Sequence, residues 1–243
     1  MSDFKLPSSS ELPTIDAAAL KALPIFPLPS TLLLPQTIIS LHIFEPRYRR
    51  MLEDIADGYR TLAVAMLDES GQPDRFGRPP VFPIAGVGVL RRSAKLPDGR
   101  YNILVEGVVR ADITDELDPL PNVPYRRVRA RPLIDVQSAP REAVDSAVSA
   151  LRALTSRVIS EMGGTDAEIM ERLNEIDEPG TLADLIAAAA IQDPIERQKI
   201  LAEVDVLKRI ELAAGALGTL VLRAREVSPK SAPLGWGGTS GEA

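Results

Sequence analysis

The pattern of apolar and polar positions changes character once along the chain. Residues 23 to about 136 carry short apolar runs broken by prolines and turns, whereas from about 140 onward apolar residues recur at helical spacing. "LPIFPLP" and "STLLLPQTIISLHIF" are cut by prolines, which places them at strand starts, bulges or sheet edges. "RTLAVAML" predicts a compact buried strand. "VGVLRRSAKLPDGRYNILVEGVVRADITDE" predicts a hairpin, because two long runs flank Pro97, Asp98 and Gly99, and the glycine can take positive φ. In its second arm Tyr101, Ile103 and Val105 alternate with Asn102, Leu104 and Glu106. "YRRVRARPLIDV" adds one more strand. Several strands joined by short turns point to an antiparallel sheet curled into a small barrel.

One helix interrupts this half. Tyr48, Met51, Leu52 and Ile55 form an apolar stripe at i, i+3, i+4 and i+7. Pro46 suits the first helical position, Glu45 favours the positive end of the helix dipole, and Gly58 is the expected stop. In the second half, Val144, Val148, Leu151, Thr155 and Val158 share a helix face. Thr165 with Glu168 reads as a capping box ahead of Ile169, Met170, Leu173 and Ile176. Thr181 with Asp184 opens "LADLIAAAAI", Asp193 caps a helix begun by Pro194, and Asp205 caps a last helix carrying Val206, Ile210, Ala213, Leu217 and Val221. Short loops between these helices predict an antiparallel bundle. The chain thus divides into a flexible tail over 1–20, a sheet subdomain over 21–138, a helical subdomain over 139–226 and a Gly/Ser/Pro-rich disordered tail over 227–243 that holds Trp236. The fold class is α+β.

Composition narrows the chemistry. Of 243 residues 45% are apolar, enough for a real core, and no cysteine is present, which excludes disulfides, thiolate metal sites and thiol nucleophiles. That suits a reducing cytoplasm. Neither a signal peptide nor a run long enough to span a bilayer is visible. A net charge of −6 and 4% aromatics weigh against nucleic acid as a partner of the whole surface. No Gly-Lys-Ser/Thr phosphate loop exists, and Gly86 and Gly88 read as strand glycines at a bulge or a close backbone approach. His42, the one histidine, sits at a strand position and reads as structural or surface. Ser93 and Lys95 lie on a hairpin arm without the burial that would activate a lysine. Arg126, Arg127, Arg129 and Arg131 form a basic strand, with the last three on one face. It reads either as a phosphate clamp or as the charged outer face of an edge strand. No metal, cofactor or catalytic set emerges.

Three segments, "LPIFPLPSTLLLPQTIISLHIFEPRYRRML", "VGVLRRSAKLPDGRYNILVEGVVRADI" and "LADLIAAAAIQDPIERQKILAEVDVLKRIE", resemble the N-terminal domain of Lon ATP-dependent proteases from about Leu23 to about Arg223. The resemblance implies a PUA-like β-barrel followed by a helical bundle. It further implies binding of unfolded or degron-bearing polypeptides, with a proteolysis-adaptor role, or a protease or chaperone as a further partner. No ATPase or protease segment of the Lon type is visible, so the expectation is a stand-alone, non-enzymatic member that needs no cofactor. On that likeness Ile25, Phe26, Leu28, Phe44 and Tyr48 would edge a shallow apolar groove with Arg47 at its rim, and Glu45 would be among the peptide-binding residues. The competing expectation for Phe44 and Tyr48 is core between helix and sheet. RNA binding through Arg127, Arg129 and Arg131 is the alternative function. The sequence leaves oligomeric state open.

Overall fold

The computed structural model describes residues 13–161 and 167–227. The Thr165 capping box and Trp236 lie outside the described residues. Among those described, six strands are followed by a set of helices. A short 3-10 turn, Ala19–Lys21, leads into β1 (Leu23–Leu28), β2 (Ile38–Ile43), α1 (Pro46–Ala56), β3 (Thr61–Met66), β4 (Ile84–Lys95), β5 (Tyr101–Glu116) and β6 (Arg127–Pro132). Then come α2 (Arg141–Glu161), α3 (Ala167–Asn174), α4 (Pro179–Ala190), α5 (Pro194–Ala202) and α6 (Val206–Val227). The expected N-terminal tail ends earlier than residue 20: Ala19 and Leu20 are buried, and Ile15 packs against the same apolar cluster.

The expected antiparallel sheet is in fact mixed. β1 pairs parallel with β3, Ile25 opposite Ala63 and Leu28 opposite Met66. A parallel pair needs a crossover, and the connection over 29–60 supplies one that holds β2 and α1. The remaining pairings are antiparallel, in the order β2-β5-β4-β3-β1-β6, and β6 returns to pair with β5. Five strands therefore form a closed circuit, with β2 attached to the first half of β5. Because β3 lies inside this circuit it is buried on both faces, which is why its sequence shows no alternation. Leu62 and Val64 face the cluster that α1 covers with Tyr48, Met51, Leu52 and Ile55; Ala63 and Ala65 face the opposite cluster with Leu23, Ile25 and Val128.

Two glycines are required by a close approach. Leu32, Leu33 and Leu34, read as strand from sequence, form a buried loop that crosses the sheet. A Cβ at Gly86 would stand 1.7 Å from the Leu33 carbonyl oxygen, and one at Gly107 would stand 2.1 Å from that of Leu34. Gln36 N–H donates to the Gly107 carbonyl at 2.8 Å, and Gly107 N–H donates to that of Thr37 at 2.8 Å, so the loop is stitched to β5.

The helices pack on the sheet through Leu32, Leu34, Met66 and Ile84. Asp193 accepts from Ile195 N and Glu196 N, and Asp205 accepts from Lys208 N, as caps should. The Thr181 cap does not form: α4 starts at Pro179, and Asp184 is carried into the interior. There it meets Arg110 of β5 at 2.6 Å and Arg209 of α6 at 3.1 Å. Asp135, in the segment joining the two halves, holds the same guanidiniums at 2.7 and 2.5 Å. This four-residue ion cluster fastens sheet to bundle. Burial pushes the Asp184 carboxyl up to about 6 against the pull of Arg110 and then Arg209. Asp184 Oδ1 and Arg110 Nε have no hydrogen-bond partner among the described residues.

Candidate functional site

A groove of about 470 Å³ opens where β1, the start of α1 and two proline-rich loops converge. Its walls include Pro27, Tyr48, Phe76, Leu120, Tyr125 and Arg127. Several features of the chain create it. β6 pairs with β1 only at Leu23 and Pro24, and Ile25 N–H donates to the Arg126 carbonyl at 3.0 Å. Beyond Ile25 no strand among the described residues lies along that flank of β1, and the groove opens there.

The loop before β4 presents Phe76 from a tightly held turn. Asp74 Oδ1 accepts from Phe76 N at 2.8 Å and from Arg78 N at 3.0 Å, while Gly77 takes φ +73°. The Arg78 guanidinium hydrogen-bonds the Asp74 carboxyl and holds it down to about 2. Phe76 stays 44% exposed, with the guanidinium carbons of Arg75 and Arg78 4.7 and 4.8 Å from its ring centre. Below it Arg126 grips Glu116 through two bonds, at 2.7 and 2.6 Å, and donates to the Pro79 carbonyl at 2.8 Å. Arg78 shares Glu116 at 3.0 Å. This ladder ties one loop to the end of β5. The other loop displays Leu120 at 49% exposure, turned by a Val123 N–H bond to the Leu120 carbonyl.

The residues expected at the site part company. Arg47 and Tyr48 do line the groove. Tyr48 is nevertheless largely buried: its ring centre lies 4.3 Å from that of Phe26, the Arg47 guanidinium stands 4.7 Å above it, and burial above all pushes its phenol up. Ile25 is fully buried on the opposite face of β1 and cannot touch a ligand. Phe26 is core beneath Tyr48, and Leu28 packs half-buried against the same cluster. Pro27, between them, is the β1 residue that reaches the groove. Phe44 is 62% exposed, near His42, but is not part of the groove wall. Glu45 is not part of the groove wall, but it pairs with Arg47, which is, at 2.8 Å.

On the basic strand, Arg126 is bound by Glu116, Arg129 lies 3.8 Å from Asp115, and Arg131 is paired with Asp112 at 3.0 Å. Arg127 alone of the four has no ion pair or side-chain hydrogen bond among the described residues. Matched carboxylates leave little field for a phosphate backbone. His42 is an exposed strand residue bonded to Asn102 Oδ1 at 2.7 Å, and Ser93 and Lys95 are exposed. Sequence reasoning missed Phe76, Leu120 and the proline lining. The available signal was two loops, 73–83 and 117–124, each dense in proline and each carrying a large apolar residue with no periodic partner.

Comparison with known proteins agrees with this architecture. The N-terminal domain of the Mycobacterium avium complex Lon protease superposes with a TM-score of 0.66 at 18% identity, over 82% of this chain and 98% of that one. The Lon N-terminal domain protein from Xanthomonas campestris superposes at 0.55 and 18% identity, over 79% of this chain and 95% of the other. These likenesses carry the fold. Among curated sequences, the Lon protease of Dictyoglomus thermophilum is 26% identical over 214 residues, 87% of this chain and 25% of that protein. Lon protease 2 of Sorangium cellulosum is 25% identical over 217 residues, 87% of this chain and 26% of its own length. The chain thus spans about a quarter of these relatives. No described helix is long and apolar enough to cross a membrane. The family model for the ATP-dependent protease La (LON) substrate-binding domain matches residues 22–217, four-fifths of the sequence, and the chain belongs to that family.

Proposed function

We propose that this chain is a non-catalytic module that binds unfolded or degron-bearing polypeptide segments in the groove beside β1 and delivers them to a protease as an adaptor. The observation that carries the reading is the groove itself. It is edged by Phe76 and Leu120, two large apolar residues left about half exposed between proline-rich loops. Exposed apolar surface of this kind marks partner recognition. Family membership supports the same reading, since the domain is defined by substrate binding. A shallow site must offset the ordering entropy of a flexible chain, so affinity is modest.

The test is a titration of one model protein in folded and permanently unfolded forms, followed by fluorescence anisotropy. The unfolded form should bind, the folded form should not, and Leu120→Asp should abolish the difference. Equal binding of both forms, or wild-type binding by Leu120→Asp, would refute the groove as a polypeptide site.

A further inference from the structure

We infer that the groove selects extended segments that carry a carboxylate close to an apolar side chain, with Arg127 receiving the carboxylate; this rests on the groove being a polypeptide site. The charge inventory points there. Five cations stand in or at the groove: Arg47, Arg75, Arg78, Arg126 and Arg127. Four carboxylates answer them: Glu45 holds Arg47, Asp118 holds Arg75, and Asp74 and Glu116 hold Arg78 and Arg126. The residual positive charge belongs to Arg127, within a protein of net charge −6. Arg127 is half-buried on β6, beside Tyr125, whose hydroxyl is already given to Asp54 at 2.9 Å. Asp54 in turn is held by Arg50 at 3.0 Å, so among the described residues no carboxylate is paired with Arg127.

Backbone chemistry disfavours the common alternative of an added strand. Ile25 directs its N–H to the Arg126 carbonyl, and Leu28 directs its carbonyl the other way, to Leu67 N–H at 2.9 Å. By strand alternation the group facing the groove between them is Pro27, which has no N–H to give. A ladder along this flank would lose its donor at mid-length. Affinity must then come from side chains: an apolar anchor against Leu120 and Val123, and an anion at Arg127. A charge-assisted bond in a partly desolvated groove is worth about fivefold to tenfold in affinity.

The test uses two fluorescein-labelled unstructured peptides of otherwise Gly/Ser sequence, one carrying Leu-Ser-Asp and one Leu-Ser-Asn, titrated with the full chain. The aspartate peptide should bind about fivefold to tenfold tighter. Arg127→Gln, with an unchanged thermal midpoint, should erase that ratio, whereas Arg129→Gln, on the same strand face but matched by Asp115, should keep it. Equal binding of both peptides to wild type would overturn the inference while leaving the polypeptide reading standing. Binding of neither would overturn both. A single-stranded RNA that binds tighter than either peptide and is lost with Arg127→Gln would assign the arginine to phosphate instead, and would also overturn the inference.

Discussion

Replacing Asp184 by alanine tests the ion cluster that fastens sheet to bundle. The carboxylate is 2% exposed, and it faces two guanidiniums that are themselves 2% and 1% exposed. Arginine cannot discharge itself by losing a proton, so the variant leaves two buried cations short of one partner. Breaking a buried pair by removing one member costs about 3–5 kcal/mol. Asp135 still bridges both arginines in the variant, which sets the expectation at the lower end, about 3 kcal/mol. Asp135→Ala removes a carboxylate that is 43% exposed, where water can replace it, and should cost about 1 kcal/mol. Urea unfolding followed by circular dichroism at pH 7 measures both. The pH dependence adds a signed check. The folded carboxyl is held at about 6, above its ordinary 3.8. Between those values the folded state keeps a proton that the unfolded chain has released. This group's contribution is therefore complete below about pH 4 and fades as pH rises through about 6. Asp184→Asn, which cannot titrate, should lose that slope. A cost below about 1 kcal/mol for Asp184→Ala, or a profile for Asp184→Asn parallel to wild type over pH 4–6, would refute the reasoning.

Other expectations follow from single contacts. Gly86→Ala should cost about 3 kcal/mol in the same urea assay, because the new methyl meets backbone at Leu33 rather than a movable side chain. Asp193→Ala removes both acceptor bonds of the α5 cap and should cost about 1 kcal/mol, with the loss visible as a lower urea midpoint at unchanged slope. The Tyr125 phenol is pushed up to about 12 by burial, then by its bond to Asp54. Asp54→Asn should lower its midpoint in an ultraviolet titration, while an unchanged midpoint would leave burial as the whole cause.

What the sequence made legible was whatever depends on neighbours in the chain. The α1 stripe, the Gly99 hairpin and the caps at Asp193 and Asp205 are all local patterns, and all are present. The ion cluster was not legible, because its members stand at 110, 135, 184 and 209 and only the fold brings them together. Asp184 followed Thr181 at a spacing that mimics a cap, and Pro179 two residues earlier won the start of the helix.

The misplacement of Ile25 has the same origin and explains the site. A strand with one wet face shows alternation, and a groove would then take every second residue. β1 lies parallel to β3 and is covered on both sides at Ile25 and Phe26, so neither residue is available. The accessible part of β1 is not a face but an edge, and the edge residue that matters is a proline. The exposed apolar surface beside β1 is thereby displaced from the strand to the loops that flank it, where Phe76 and Leu120 sit on backbones fixed by the Asp74 turn and the Leu120–Val123 bond. The sheet thus supplies position, and two short loops supply the exposed apolar side chains. The Arg126–Glu116–Arg78 ladder fastens the Phe76 loop to the end of β5 and so holds one wall of the groove in place.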